Sequence, residues 1–470
     1  MLSKRLYDGI GFGFIVEKLE CFSYYGVNKI REIRAAFFDA CALRCYSENI
    51  DLIASFQNIS WLMALHPSQV AKIQDLLSNF KNIRGAVKKL EHSCLSEVEF
   101  FEVKRFLLGL EKIIGLKIEL RLEGIRFTEM EDALDILDSK KQRVAAFSIH
   151  DDNYPALRAT RQKKAQIEAL IDKHGMTDEL VKKRAEVVAE EDRHEQMALN
   201  DLTSKLRPFV PSFMSNTENI GLLDFALAKA ILAKQTDATI PKISPTNIRL
   251  VNMWNPKTQA ELEKKGRAFT KTSIDLAPGA TVLVGANMGG KSLTIKTVLL
   301  NVLLANMGFF VFAEMAELPL FDDVFFIEEG TGDDFLSSFG MEIMQINEAA
   351  NCLPGKKLFV ALDEPARTTN PAEGAKIVRG IVSYLARQES TSLISTHYGN
   401  VQENAQAVYQ TASFSYDGLE GATADSLANF INYELLKVDS NAAIPTEAIN
   451  LCKIFGMNPT LLAEIDSQSV

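Results

Sequence analysis

The chain has 470 residues, of which 47% are hydrophobic and 24% are charged, and its formal net charge is −10. This length predicts two or three domains, each able to bury a core. The acidic balance argues against a dedicated nucleic-acid binder, because contacts to phosphates supply most of the affinity of such proteins. The six cysteines form no C-x-x-C pair, and no apolar run approaches transmembrane length, so we expect a cytoplasmic protein that makes no use of a membrane.

The first half of the chain, residues 1–235, predicts a helical core, because Gly and Pro are sparse and apolar residues recur every three or four positions. Residues 154–206 predict a lever-like hairpin of two charged helices joined by a turn at 174–176, with Thr177 as the N-cap of the second helix. Charges of both signs cover these helices, which is also typical of a merely solvated face. Proline and polar residues at 208–217 predict the end of the hairpin, before a further helix.

The second half, residues 236–470, alternates between strand-like and helix-like patterns and predicts an α/β domain. The whole chain is therefore expected to be multidomain, with a helical part followed by an α/β part. Short apolar runs bounded by turn residues predict strands at 280–284, 309–312, 324–327, 357–362 and 392–395.

A glycine-rich stretch follows the first of these strands and precedes a helical pattern. It has the spacing G-x-x-x-x-G-K-S and consists of Gly285, Ala286, Asn287, Met288, Gly289, Gly290, Lys291 and Ser292, followed by Leu293. In this context the loop predicts an ATP-binding site, because backbone N–H groups and the helix N-terminus converge on phosphate oxygens. Lys291 would reach the β- and γ-phosphates, and the Ser292 hydroxyl would ligate Mg²⁺. A chance glycine loop is the alternative.

Polar residues at the ends of two later strands predict the rest of the site. Asp363 and Glu364 follow the apolar strand at 357–362, which suits a metal ligand and a residue that polarises the attacking water. His397 follows the strand at 392–395, at the edge where open α/β sheets bind ligands, and could sense the γ-phosphate. The alternatives are acids that only end a strand and a structural histidine.

The segment from residue 285 to 401 resembles the ATPase domain of MutS-related proteins, a branch of the ABC-type ATPases. The resemblance rests on four motifs in the family's order: the loop at 287–292, a signature-like segment at 333–343, the acidic strand end and following loop at 363–374, and the switch histidine at 395–398. Weaker similarity covers the helix at 222–228 and the closing segment at 448–465.

This resemblance implies a composite ATPase site that is shared between two subunits. The phosphate loop of one subunit would be closed by Ser337 and Ser338 of the other, with Glu373 in the dimer loop. The C-terminal helices would take part in dimerisation, so a homodimer with ATP and Mg²⁺ is implied. Lys291, Glu364 and His397 would carry hydrolysis, and ATP-driven closure would move the lever.

Some family features are replaced by others in this chain. The helical core begins almost at residue 1, in the place of a mismatch-reading domain and connector, and the turn at 174–176 stands in the place of a DNA-gripping clamp. The wording Asp-Glu-Pro-Ala-Arg-Thr-Thr-Asn-Pro at 363–371 resembles a divergent group of MutS-like ATPases that reactivate cobalamin-dependent lysine 5,6-aminomutase together with a small partner.

Two functions compete on these observations. The first is an ATP-driven factor that remodels or reactivates a protein client, with a small partner subunit and with DNA unlikely as the main ligand. The second is a mismatch or branched-DNA binding protein of the repair type. A scaffold with an inactive ATPase is a third option, which the intact Lys291, Asp363, Glu364 and His397 disfavour. The turn at 174–176 and the net charge favour the protein client.

Overall fold

The computed structural model describes residues 4–38, 52–122, 124–285, 289–328, 338–411, 433–439, 452 and 456–467. The chain divides into two compact units, each of which is described by itself. The first unit comprises residues 1–19, 32–60 and 229–470, and the second comprises residues 20–31 and 61–228. Within the described residues, every helix is too short or too polar to cross a membrane.

The described α-helices lie mostly in the first half of the chain. In chain order they are α1 Lys4–Gly9, α2 Phe12–Glu17, α3 Tyr24–Phe38, α4 Leu52–Met63, α5 Pro67–Ser78, α6 Arg84–His92, α7 Glu97–Glu119, α8 Glu131–Leu137, α9 Pro155–His174, α10 Asp178–Leu206, α11 Val210–Gln235, α12 Pro256–Glu263, α13 Lys291–Asn306, α14 Ser338–Cys352, α15 Pro371–Leu385 and α16 Pro459–Ser467.

Helices α9 and α10 pair along their length in the second unit. Thr177 caps α10 by accepting a hydrogen bond from the N–H of Leu180. Ion pairs join the two helices at their polar faces: Arg161 contacts Glu195 at 2.8 Å, and Lys164 contacts Glu191 at 2.6 Å. Much of the charge on this hairpin is therefore neutralised within it.

Helix α11 begins at Val210, within the segment 208–217 that the sequence pattern predicts to separate two helices. Pro211 lies in its first turn, where a missing N–H costs nothing, and the helix then runs through the polar residues at 215–217. These residues find partners that loop residues would lack: the Asn216 amide bonds both the N–H and the C=O of Thr128, and the Thr217 hydroxyl donates to the C=O of Met214. Residues 210–217, which the sequence pattern predicts to interrupt the helices, are therefore helical.

The described strands form two sheets in the first unit. Their bounds are β1 Lys242–Ile243, β2 Ile248–Met253, β3 Thr272–Leu276, β4 Gly279–Val284, β5 Met315–Leu318, β6 Asp323–Glu328, β7 Leu358–Asp363, β8 Thr391–Ser395, β9 Ala407–Thr411 and β10 Leu435–Val438. One sheet has the order β1-β5-β2-β3, and the other has the order β10-β9-β4-β8-β7-β6. In the six-stranded sheet all pairings are parallel except that of β10 with β9. The second half is thus a mixed α/β structure.

The predicted strand at 309–312 is absent, although all four of its residues are buried. The segment makes an isolated bridge through Val311 to Thr239. Its other backbone groups bond outside a ladder: the N–H of Phe312 donates to Asn301 Oδ1, and the C=O of Phe312 accepts from Trp254. An apolar run indicates burial and not the type of element, which is why this prediction failed.

The parallel arrangement brings the carboxyl ends of β4, β7 and β8 to one edge of the sheet. Every residue of β4 and β8 is buried, as are the first five of β7. Helix α13 follows β4 and is buried almost all around, so it has no solvated face. The residues predicted to carry chemistry follow these strands, and the edge that they form is described next.

Candidate active site

Two glycines with positive φ bound the loop between β4 and α13. Gly285 has φ 143°, and a Cβ placed on it would lie 2.0 Å from the Thr411 hydroxyl oxygen. Gly290 is the N-cap of α13 with φ 87°, and a Cβ there would lie 3.1 Å from the ring of Tyr433. Only glycine fits both positions without strain. Gly289 directly precedes Gly290, whereas Ala286, Asn287 and Met288 lie outside the described residues.

Lys291 is the first residue of α13, and its side chain is 4% exposed. Its ammonium nitrogen donates a hydrogen bond to the C=O of Gly285 at 2.8 Å and lies 3.3 Å from Glu364 Oε1. A buried ammonium requires such partners, because an unpaired charge away from water is costly. The positive charge is therefore held at the start of the helix, facing the end of β7.

Ser292, Asp363 and Ser395 form a chain of hydrogen bonds next to this ion pair. The hydroxyls of Ser292 and Ser395 donate to Asp363 Oδ1 at 3.2 Å and 2.7 Å. The Ser395 hydroxyl also accepts the N–H of Glu364 at 2.9 Å. Ser395 thereby fixes both acidic residues at the end of β7, and its hydroxyl is a site feature that the sequence analysis did not assign.

The second carboxylate oxygen of Glu364 faces two basic groups. Arg367 Nη1 lies 3.4 Å from Glu364 Oε2, and His397 Nδ1 lies 3.9 Å from it. The Glu364 side chain is 13% exposed, and those of His397 and Arg367 are 37% and 57% exposed. Glu364 thus lies at the boundary between the buried lysine and the solvent-accessible opening of the site.

The structure brings together Lys291, Ser292, Asp363, Glu364 and His397. The other predicted site residues lie elsewhere in the described part of the chain or outside it. Ser338 begins α14, Glu373 is exposed in the first turn of α15, and Leu293 lies in the first turn of α13. Ser337 lies outside the described residues.

A cavity of about 540 Å³ lies beside the start of α13. Its lining includes Gly290 and Leu293 together with Arg267, Phe269 and Tyr433. Burial raises the pKa of Tyr433, and the Arg267 charge opposes that shift. The cavity combines aromatic surface, one cation and the start of α13. Sequence reasoning missed Phe269 and Tyr433, because they are far apart in the chain and neither lies in a recognisable motif.

Two further residues that the sequence analysis left without a role contact the loop after Glu364. The N–H of Ala366 donates to Glu342 Oε1 at 2.7 Å, and its C=O accepts the Tyr398 hydroxyl at 2.8 Å. Glu342 lies on α14 and is 5% exposed, and Tyr398 is 7% exposed. The burial of Glu342 is visible only in the folded chain, so no signal in the sequence pointed to this residue.

Comparison with known proteins shows which families the sequence is similar to. Residues 281–447 match the family model described as MutS domain V. Over 265 residues the chain is 31% identical to the protein named Endonuclease MutS2 of Leuconostoc mesenteroides. The aligned region covers 53% of this chain and 32% of that protein. Over 417 residues it is 24% identical to Endonuclease MutS2 of Streptococcus pyogenes serotype M1. This aligned region covers 82% of this chain and 50% of that protein.

A third relative is named for its role in repair. The DNA mismatch repair protein MutS of Thermodesulfovibrio yellowstonii is 28% identical over 243 residues, which are 49% of this chain and 28% of that protein. The matched regions thus span 28% to 50% of the length of these curated relatives. Together the matches support a MutS-related family, as the four motifs indicated.

The same names correct two expectations. An endonuclease and a DNA mismatch repair protein are both defined by nucleic acid, so the predicted main function on a protein client is wrong. The expectation that DNA is unlikely as the main ligand is wrong for the same reason, and the matches do not support a reactivating factor for an aminomutase. The net charge of −10 is a poor guide to the ligand, because it averages over the chain and does not describe any local surface.

Proposed function

We propose that this chain binds and hydrolyses ATP and acts on mismatched or branched DNA, as a MutS-related ATPase. The observation that carries the ATPase is the buried pair of Lys291 and Glu364 beside the hydrogen-bonded Ser292 and Asp363, after the carboxyl ends of β4 and β7, which flank β8. Crevices at this edge of an open α/β sheet are where such folds bind ligands. The names of the relatives support the DNA component.

The loop and α13 supply what a triphosphate needs. The first N–H groups of a helix lack intrahelical partners, and the Gly290 cap offers them no side-chain acceptor. The helix N-terminus therefore attracts an anion, and Lys291 adds a full positive charge one residue further on. The γ-phosphate would compete with Glu364 for the Lys291 ammonium, because both partners are anionic.

The donor set of Ser292 and Asp363 fits Mg²⁺. Both offer oxygen atoms, which hard cations prefer, and their oxygens lie 3.2 Å apart. Magnesium is usually held by one or two protein carboxylates together with phosphates and water, so a pair of protein ligands is sufficient. When bound, the ion would neutralise charge on the phosphates.

The cavity beside Gly290 suits the base of the nucleotide. Gly290, Leu293 and Thr294 line it at the start of α13, so a nucleotide with its phosphates on the glycine loop would have its base beside this cavity. Phe269 and Tyr433 offer flat apolar surface, and bases stack on aromatic rings. We therefore assign base binding to this cavity.

Glu364 is the residue that we assign to water activation. One carboxylate oxygen faces Lys291, and the other faces the more exposed side with Arg367 and His397. A carboxylate at that boundary can orient water on the accessible side while the phosphates lie on the buried side. His397, at the end of β8, would sense the γ-phosphate through Glu364.

The composite site and the homodimer belong to this proposal. Ser337, Ser338 and Glu373 would close the partner's site, and the α9–α10 hairpin would act as the lever that responds to closure. The exposed position of Glu373 at the start of α15 is compatible with contact to a second copy. The division into a helical core at 1–235 and an ATPase domain at 236–470 is part of the same proposal, although residues 1–19 and 32–60 group with residues 229–470 in the first compact unit.

The test is ATP hydrolysis by the full chain and by Lys291→Ala, with Lys296→Ala as the control. Lys296 is a second lysine of α13 and pairs with Glu328. The proposal expects Mg²⁺-dependent hydrolysis that Lys291→Ala abolishes together with ATP binding, while Lys296→Ala keeps both. Hydrolysis by Lys291→Ala at the parent rate would contradict the assignment.

A further inference from the structure

The loop that follows Glu364 has an unusual backbone. Glu364 has φ 50° and Ala366 has φ 60°, both in the left-handed region that residues with a Cβ rarely adopt. Glu364 also precedes Pro365, and a residue before proline normally prefers an extended conformation. Such a backbone persists only where neighbouring groups hold it, and it is a frequent property of active sites.

Two side chains hold this loop by the peptide groups of Ala366. Glu342 Oε1 accepts the N–H of Ala366, and the Tyr398 hydroxyl donates to its C=O. Burial, followed by the carboxylates of Glu342 and Glu364, raises the pKa of Tyr398, so its hydroxyl stays protonated and donates. Gly374 leaves room for this contact, since a Cβ on it would lie 2.4 Å from the Tyr398 hydroxyl oxygen.

We propose that Glu342 and Tyr398 are positioning residues for ATP hydrolysis. They bind the N–H and the C=O of Ala366. In this way they keep Glu364 in the left-handed conformation that points its carboxylate between Lys291 and His397. This inference rests on the proposed ATPase function. It adds to that function two residues that act on Glu364 through the backbone of the loop.

The two hydrogen bonds to Ala366 come from two different elements of the fold. Glu342 lies one turn into α14, the helix that begins at Ser338, and Tyr398 directly follows His397. A shift of α14 or of the segment after β8 would therefore move the same Ala366 peptide groups and, with them, Glu364. The loop couples the position of these two elements to the residue that activates water.

The test compares three variants in steady-state ATP hydrolysis and in equilibrium binding of a fluorescent ATP analogue. Glu342→Ala removes the acceptor, Glu342→Gln keeps a carbonyl oxygen in its place, and Tyr398→Phe removes the donor. Two exposed residues serve as matched controls: Glu348→Ala on the same helix and Tyr384→Phe on α15. Circular dichroism and thermal unfolding identify any variant that fails to fold.

Because misplacement of a reacting group by about 1 Å lowers turnover up to about 100-fold, we expect Glu342→Ala to lower kcat by about 10- to 100-fold. Its KM and its affinity for the analogue should stay within about twofold, Glu342→Gln should recover most of kcat, and Tyr398→Phe should lower kcat with KM unchanged. Equal kcat for Glu342→Ala, Tyr398→Phe and the controls would overturn the inference. So would a loss of kcat in Glu342→Gln as large as in Glu342→Ala.

Failure of the proposed function has a different signature. If the unmodified chain hydrolyses no ATP and binds no analogue, the ATPase assignment itself falls, and the positioning role falls with it. If the unmodified chain hydrolyses ATP and the Glu342 and Tyr398 variants match it, only the positioning role is overturned.

Discussion

The Lys291 ammonium and the Glu364 carboxylate form an ion pair at 3.3 Å, with side chains 4% and 13% exposed. Each group neutralises the other in a place where an unpaired charge would be costly. A phosphate that enters beside Lys291 would replace Glu364 as its partner and leave the carboxylate for water. The pair therefore links nucleotide binding to the availability of the residue that activates water.

Glu364→Gln should separate binding from turnover. The amide keeps the size of the side chain and leaves Lys291 in place, so ATP affinity should stay within a few-fold of the parent. Turnover should fall by about 10²- to 10⁴-fold, the usual contribution of a general base. Single-turnover hydrolysis with an independent binding titration measures both quantities. Parent-like hydrolysis by this variant would remove Glu364 from its assigned role.

The same variant should trap a closed dimer. If Ser337, Ser338 and Glu373 complete the partner's site, ATP that is bound and not hydrolysed should favour association. Sedimentation velocity of Glu364→Gln should show a dimer with saturating ATP and Mg²⁺, and less dimer without nucleotide. The double variant with Lys291→Ala is the control, since it should not respond to ATP. A monomer at micromolar concentration under saturating ATP would contradict the composite site.

The base cavity predicts a selective loss of affinity. Base–aromatic stacking is worth about 1–3 kcal/mol, so Phe269→Ala should weaken ATP binding by about 5- to 150-fold. Binding of inorganic triphosphate, which has no base, should change little. Competition of both ligands against a fluorescent ATP analogue measures the ratio directly. An equal loss for ATP and triphosphate would place the base outside this cavity.

Lys104 and Asp138 form a buried ion pair in the second unit, at 3.2 Å and with side chains 5% and 1% exposed. Lys104→Met should lower the free energy of unfolding by up to about 3–5 kcal/mol, because the buried carboxylate loses its buried charged partner and keeps only Arg143, whose guanidinium lies 3.8 Å away. Lys112→Met, on the exposed face of the same helix, is the matched control. Urea unfolding in a Trp254→Phe background follows this unit through Trp61.

The effect of Lys104→Met should depend on pH. Burial alone would raise the pKa of Asp138, but the N–H of Arg143 and the Lys104 ammonium lower it below its ordinary value of 3.8. The stabilisation from Asp138 is therefore present above pH 3.8 and is lost as the pH falls through the folded-state pKa. The difference between parent and variant should shrink in that range. A pH-independent difference would mean that packing, and not the charge pair, sets the loss.

The local sequence predicted those parts of the site that follow from strand ends. The spacing at 285–292 and the acids at 363–364 each have a short-range pattern, and parallel strands bring their carboxyl ends to one edge. The contacts of Ser395 with Asp363 and of Glu342 with Ala366 depend on strand order and helix placement, which no local pattern encodes. The helix at 210–217 was missed because its polar Asn216 is satisfied by Thr128, which is far away in the chain.

ATP chemistry at Lys291 and Glu364 is proposed to serve a DNA ligand, and a single DNA titration tests this coupling. The full chain is titrated with mismatched, branched and homoduplex DNA at physiological salt, with ATP hydrolysis followed in parallel. We expect tighter binding to mismatched or branched DNA than to homoduplex, and a change in hydrolysis on binding that Lys291→Ala abolishes. Non-specific binding in the range of about 10⁻⁴ to 10⁻⁶ M to all three DNAs, with hydrolysis unchanged, would contradict the claim.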